Sequence, residues 1–210
     1  MIAQENIPTK VFNHLRKISP SSLMLTGGRS AACIYRSWAS SPECIEHISR
    51  MVCYFSDERC VSPDSSDSNY FLAMSSLFPE GVPNNFLVHR IEGECVDMEL
   101  AANNYSELLQ RPIDLLLLSV GDDGHIASLF PFSSALHETR RLVVPVMAPK
   151  SPFPRLTITP KVIQNAREVI VIAGGLQNRE IYLKALEDPG DIDSIPARMV
   201  LNRTWIFDQL

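Results

Sequence analysis

The chain has 210 residues, 45% of them hydrophobic and 20% charged, with a formal net charge of −5. That balance excludes disordered and fibrous classes and suits one domain over residues 1–210, since no Gly/Ser-rich or highly charged linker divides it. Acidity without a run of Lys or Arg argues against nucleic acid and against a membrane surface as partners, because both are bound chiefly through clustered positive charge; a small anionic ligand remains open if a few arginines converge.

Met1 to Lys10 carries no apolar leader core, and no apolar stretch reaches the roughly 18 residues of a membrane span, so a cytoplasmic location is expected. Five cysteines (Cys33, Cys44, Cys53, Cys60, Cys95) without a Cys-x-x-Cys pair read as buried thiols rather than as a disulfide framework or a zinc site. Val11, Leu15 and Ile18 mark an amphipathic helix ending near Pro20. Ser22 to Thr26 is a short strand that runs into Gly27-Gly28, and Ser30 to Ala39 follows as a helix with Ala31, Ile34, Tyr35 and Trp38 on one face. Met51 to Ser56 is the next strand. Cys60 to Asp67 is a loop, and Ser68 caps a helix from Asn69 to Phe78. Phe86 to His89 is a short strand; Asp97 caps a helix to Gln110 with an apolar stripe of Met98, Ala101, Tyr105, Leu108 and Leu109.

Ile113 to Val120 is a continuous apolar run bounded by Pro112 and Gly121, the pattern of a strand buried on both faces. Beyond Gly121-Asp122-Asp123-Gly124-His125, Ser128 to Pro131 has the look of a helix start. Leu142 to Val146 and Arg155 to Thr159 are β-like, Thr159-Pro160 opens a helix, and Glu168 to Ala173 is a buried strand leading through Gly174-Gly175 into a helix to about Leu186. Glu187 to Pro196 is a loop, and Thr204 to Phe207 an edge strand. Strands alternating with helices imply an α/β fold: a mostly parallel, Rossmann-like sheet with helices on both faces.

Four constellations carry possible chemistry. The turn Thr26-Gly27-Gly28-Arg29-Ser30 joins a strand to a helix and could cradle a phosphate on free backbone N–H groups, or be only a tight turn. Asp57-Glu58-Arg59 could supply a carboxylate and a guanidinium to a cleft, or be a solvated ion cluster. Arg155 stands at the head of a strand, as a bidentate phosphate ligand or a surface cation. The loop from Gly121 to His125 is the strongest signal: it follows a central strand, and an imidazole oriented by a carboxylate can take a proton from water. A capping Asp with a structural His, or a metal site from Asp122, Asp123 and His125, is the alternative. His14, His47, His89 and His137 read as surface or packing residues.

In this order, Leu25-Thr26-Gly27-Gly28, Phe55-Ser56-Asp57-Glu58-Arg59, Asp67-Ser68-Asn69-Tyr70, Asp114 to Pro131, Pro154-Arg155-Leu156-Thr157 and Pro196-Ala197 resemble the 6-phosphogluconolactonases, within the larger group that includes the glucosamine-6-phosphate deaminases. Deaminases typically continue Asp-Gly-His-Ile-Ala with Phe-Asn-Glu-Pro and carry Asp-Glu-Tyr where Arg59 stands; here Ser128-Leu129-Phe130-Pro131 follows, which favours the lactonase branch. The resemblance implies hydrolysis of 6-phosphoglucono-δ-lactone in the oxidative pentose phosphate route, with no cofactor and no metal, by a monomer or small homo-oligomer. It makes His125 the general base, with Asp123 helping to position the loop or the histidine. Gly27, Gly28 and Arg155 would hold the phosphate, and Arg59 with Asp57 would contact the sugar end or the oxyanion. An amino-sugar-phosphate isomerase or deaminase, or a sugar-phosphate-binding protein with another substrate, are the alternatives. Three departures stand out: Arg29, Ser30 and Ala31 occupy the places of Ser-Thr-Pro, Ser119 that of a glycine, and Asn178 that of a lysine. Arg29 then either adds a phosphate contact or blocks the pocket, and Ser30, Asn178 and its neighbour Arg179 become candidate phosphate contacts.

Overall fold

The computed structural model describes residues 6–188 and 190–208. Among these residues, helix α1 (Ile7–Ile18) leads to β1 (Ser22–Leu25), α2 (Arg29–Ala39), α3 (Pro42–Ile48), β2 (Val52–Phe55), β3 (Asp57–Arg59), α4 (Asn69–Leu77) and β4 (Leu87–Val88). Then come α5 (Met98–Leu108), β5 (Leu115–Ser119), β6 (Val143–Met147), β7 (Pro154–Ile158), α6 (Pro160–Asn165), β8 (Glu168–Ala173), α7 (Gly175–Glu187) and β9 (Thr204–Phe207). The expected caps hold at Ser68, whose hydroxyl accepts from Phe71 N–H, and at Asp97, whose carboxylate accepts from Leu100 N–H. Helix α3 had no counterpart in the sequence reading.

Six strands form one parallel sheet in the order β4-β2-β1-β5-β8-β9. Leu23 to Leu25, Leu115 to Leu118 and Val169 to Ala173 are buried at every position, so both faces are covered, which is why these strands read as unbroken apolar runs. The chain runs outward from β1 to β2 and β4, then crosses back to place β5 on the other side of β1. The loops after β1 and β5 therefore leave the sheet at a reversal of strand order, where open α/β sheets bind ligands.

Leu142 to Val146 and Arg155 to Thr159, β-like by sequence, lie outside this sheet. They form β6 and β7 of a separate antiparallel sheet, ordered β3-β7-β6, with Asp57 opposite Thr157 and Arg59 opposite Arg155. The chain crosses between the sheets at Ser56, whose N–H donates to Leu25 O and whose carbonyl accepts from Ile158 N–H, both at 2.9 Å. Ser128 to Pro131 starts no helix. Leu108 is exposed although placed in the apolar stripe of α5, and Cys33 is exposed rather than buried.

Two tyrosines finish what the short sheet ladders leave open. Tyr35 of α2 accepts from Thr26 N–H at 3.0 Å and donates to Thr26 O at 2.8 Å; Tyr105 of α5 does the same for Phe55, at 2.7 and 3.0 Å. Both side chains are buried, and burial pushes both phenols well above their ordinary range. Tyr35→Phe leaves the N–H and C=O of Thr26 buried without their partner, and should lower stability in urea unfolding by about 1–3 kcal/mol.

Candidate active site

The loop after β5 turns back on itself: Gly121 N–H donates to His125 O and Gly124 N–H to Gly121 O, both at 2.9 Å. This fold brings the imidazole over Gly121, where an added Cβ would lie 2.0 Å from His125 Cε1, so the ring keeps this place only while residue 121 is glycine. Gly124 has φ +84°, and its carbonyl accepts from Ala197 N–H, which anchors the loop to the chain before β9. Asp123 Oδ1 meets His125 Nδ1 at 2.5 Å and the His125 N–H at 3.1 Å. Partial burial pushes the Asp123 carboxyl up, but the hydrogen bonds and charge of His125 together more than offset it, and it lies below the usual carboxylate range. The imidazole also packs against Phe130, with ring centroids 4.8 Å apart.

His125 faces a cavity of about 130 Å³ whose far wall is the turn after β1. Gly27 and Gly28 line it, as do Asp57, Arg59 and Asn69 from the β3–α4 region, Ser119 at the end of β5, and Arg155 of β7. Gly28 has φ +95° and precedes the first residue of α2, so the helix N-terminus opens toward the cavity. Arg155 is largely buried, its Nε donates to Pro152 O at 3.2 Å, and its guanidinium lies over Phe130, 5.3 Å from the ring centroid. Burial and the neighbouring Arg59 both push the Arg155 guanidinium below its ordinary value. Two cations thus share one small cavity. Arg59 donates from Nη1 to Asp67 O, and its buried Nε has no partner.

The Asp57-Glu58-Arg59 segment is not a solvated ion cluster. Glu58, 2% exposed, accepts from Arg59 N–H and Asn69 N–H on Oε1 and from Ser68 Oγ and Tyr70 N–H on Oε2, at 2.7–3.0 Å. Asp57 accepts from Ser128 Oγ at 2.6 Å and from Asn69 Nδ2 at 3.0 Å. Its carboxylate is therefore occupied in tying three loops together. Asn69 is the wall residue the sequence reading passed over, although it stands in the Asp-Ser-Asn string that had been singled out. Its amide packs against Gly27, where a Cβ would lie 2.0 Å from Oδ1.

The other candidates lie elsewhere. Arg29 is exposed and neither it nor Ser30 lines the cavity; Ser30 Oγ instead packs on Gly174, where a Cβ would lie 2.5 Å from it. Asn178 Nδ2 donates to Val120 O at 2.6 Å, and Arg179 stacks on Phe207 at 5.6 Å from the ring centroid. Ser119 takes the place of a flexible residue with a use of its own, its hydroxyl donating to Gly27 O at 3.1 Å and so linking the two loops. Among the described residues no three His, Cys, Asp or Glu side chains are grouped to hold a metal ion. His137 pairs with Asp193 at 2.8 Å on the surface, a partner the sequence did not reveal.

A family model described as "Glucosamine-6-phosphate isomerases/6-phosphogluconolactonase" matches residues 2–207. The human 6-phosphogluconolactonase is 32% identical over 204 residues, covering 90% of this chain and 78% of that protein. Among solved structures, a 6-phosphogluconolactonase from Shewanella baltica superposes with a TM-score of 0.78 at 26% identity over 99% of this chain and 97% of that one. A monomeric glucosamine-6-phosphate deaminase superposes with a TM-score of 0.80 at 18% identity over 96% and 91%. At that identity it shows the fold alone.

Two substitutions test this geometry. Gly121→Ala should fold but displace the imidazole, lowering any His125-dependent turnover roughly 10²-fold or more while ligand binding persists; steady-state kinetics beside calorimetric binding would show it. Glu58→Gln turns an NH₂ toward two donors, and should lower stability by about 1–3 kcal/mol in urea unfolding.

Proposed function

This chain belongs to the glucosamine-6-phosphate isomerase/6-phosphogluconolactonase family, and we propose that it performs the lactonase chemistry, hydrolysing 6-phosphoglucono-δ-lactone to 6-phosphogluconate in the oxidative pentose phosphate route. The observation that carries this reading is the imidazole of His125, held through Nδ1 by Asp123 at 2.5 Å and facing a cavity with two guanidinium groups. A carboxylate on Nδ1 selects the tautomer that leaves Nε2 as the acceptor.

Arg59, Arg155 and the Gly27-Gly28 turn hold the phosphate, the two guanidinia supplying charge and the start of α2 supplying N–H groups. Water beside Nε2 attacks the lactone carbonyl carbon as its proton passes to the imidazole, and Asp123 stabilises the imidazolium. The ring C–O bond then breaks, and the departing oxygen takes that proton as the sugar hydroxyl. Asp57 acts by positioning, through Ser128 and Asn69, rather than by touching substrate. This sequence of steps calls on no cofactor and no metal.

Ser128 supports this choice over a deaminase. It is the first residue at which the local string departs from the deaminase pattern, and its hydroxyl is what joins the His125 loop to Asp57. We further place the protein in the cytoplasm, as a single domain that is a monomer or small homo-oligomer and binds neither nucleic acid nor membrane. The net charge of −5 and the absence, among the described residues, of a helix long and apolar enough to cross a membrane support that placement.

Hydrolysis of freshly generated 6-phosphogluconolactone, measured above its spontaneous rate, tests the reading. His125→Ala should lose roughly 10²–10⁴-fold in kcat/KM while still binding 6-phosphogluconate. A wild-type rate equal to the buffer blank, or ammonia release from glucosamine 6-phosphate, would overturn the assignment.

A further inference from the structure

Resting on the lactonase reading, we propose that Lys150, at the tip of the β6–β7 hairpin, is a substrate-contacting residue that faces the reacting carbonyl end of the substrate and stabilises the oxyanion and then the product carboxylate. The cavity described above does not end at His125. A second cavity of about 510 Å³ shares Gly121, His125 and Arg155 with it and extends outward past Asp122, Asp123 and Phe130 to Pro149 and Lys150. The inner cavity, about 130 Å³, lies below the roughly 300–1,000 Å³ of clefts that take a whole small ligand. It is of a size for the phosphate alone. The remainder of the substrate then lies across His125 and in the outer cavity.

That outer cavity is electrostatically wrong for the reaction without Lys150. Asp122 and Asp123 both line it, and negative charge develops on the carbonyl oxygen as water attacks. Asp123 is compensated by His125, but Asp122 makes no such pair, and Arg155 is shared with the inner cavity. Helix α7 sends no cation inward, since Asn178 is bonded to Val120 O and Arg179 stacks on Phe207. Lys150 is the remaining cation in the outer wall, and among the described residues its ammonium makes neither a hydrogen bond nor an ion pair. A lysine that is exposed, unpaired and at the rim of a cleft is available to a ligand.

The loop that carries it is also coupled to the phosphate site. Ala148 N–H donates to Phe153 O at 2.6 Å and closes the hairpin tip, and Arg155 Nε donates to Pro152 O at 3.2 Å. The phosphate-binding guanidinium and the segment bearing Lys150 are thus joined, so holding the phosphate also sets the height of the tip above His125. The ammonium transfers no proton; it acts by its charge.

Lys150→Met and Lys150→Arg, made in the full chain, test this. Lys150→Met should lower kcat for the lactone at least about tenfold, less than the roughly 10²–10³-fold worth of a buried oxyanion donor because Lys150 is exposed. It should weaken 6-phosphogluconate binding and leave affinity for inorganic phosphate unchanged. The deficit should shrink with added salt, since the Debye length falls from about 10 Å at 0.1 M to about 3 Å at 1 M, and Lys150→Arg should recover most of the rate. A Lys150→Met protein with wild-type kcat and product affinity overturns the proposal. So does one whose inorganic-phosphate affinity falls while kcat stays, which would put Lys150 at the phosphate. Either result leaves the lactonase reading standing if the wild type hydrolyses the lactone; a wild type without activity removes both.

Discussion

The buried carboxylate of Glu58 is the constraint on which the cleft depends. A charge 2% exposed survives only if its lone pairs are filled, and here four donors fill them: the backbone N–H groups of Arg59, Asn69 and Tyr70 and the hydroxyl of Ser68. Burial pushes the carboxyl up, those N–H groups pull it down, and burial wins. The result is a weld between β3 and the first turn of α4. Asn69 is thereby set against both the carbonyl and the carboxylate of Asp57, and Asp57 in turn receives Ser128. One buried charge thus registers the small sheet, the turn after β1 and the His125 loop against one another.

The cations of the cleft work in the opposite sense. Arg59 and Arg155 lie opposite each other on paired strands and are close enough for Arg59 to contribute to the lowering of Arg155. Without a ligand that proximity is a cost, since two like charges share a partly buried space and the Arg59 Nε finds no acceptor. On the proposed function, a dianionic phosphate placed between them would remove the repulsion and satisfy the donor, which would concentrate binding energy away from the bond that breaks. Anchoring at a non-reacting group is how an enzyme can hold a substrate without stabilising its ground state at the reaction centre.

Much of this was legible because it is local. Strands β1, β5 and β8 are buried on both faces and announce themselves as apolar runs, and Ser68 and Asp97 cap their helices through hydrogen bonds spanning three residues. The strand-end position of His125 with Asp123 two residues away was readable for the same reason. What escaped is what depends on distant partners. Asp57-Glu58-Arg59 looks solvated because charge is visible in the string, whereas Asn69, Ser128 and Thr157, which bury it, lie 12 to 100 residues away. The separate sheet of β3, β6 and β7 escaped likewise, since apolar periodicity reports burial and not which strand lies alongside. For Arg29, Ser30, Asn178 and Arg179, position near a loop was known but side-chain partners were not: Arg29 and Ser30 do not line the cavity, Asn178 is bonded to Val120 O, and Arg179 stacks on Phe207.

Ser128 shows how a local rule yields to such a partner. After His125 the string Ile126-Ala127-Ser128-Leu129 is compatible with a helix, yet Ala127 takes φ +49°, a left-handed conformation that a residue with a Cβ adopts at a cost of about 1–2 kcal/mol. The reversal turns Ser128 inward, where its N–H donates to Thr157 Oγ1 at 3.1 Å and its hydroxyl to Asp57 Oδ2 at 2.6 Å. Two buried hydrogen bonds, one of them to a carboxylate, offset a strain of that size. Continuing as a helix would relax Ala127 but leave Asp57 and Thr157 buried without these donors. The loop is therefore held bent from its far end, and the bend keeps His125 over Gly121, in the wall of the cavity that the arginines share.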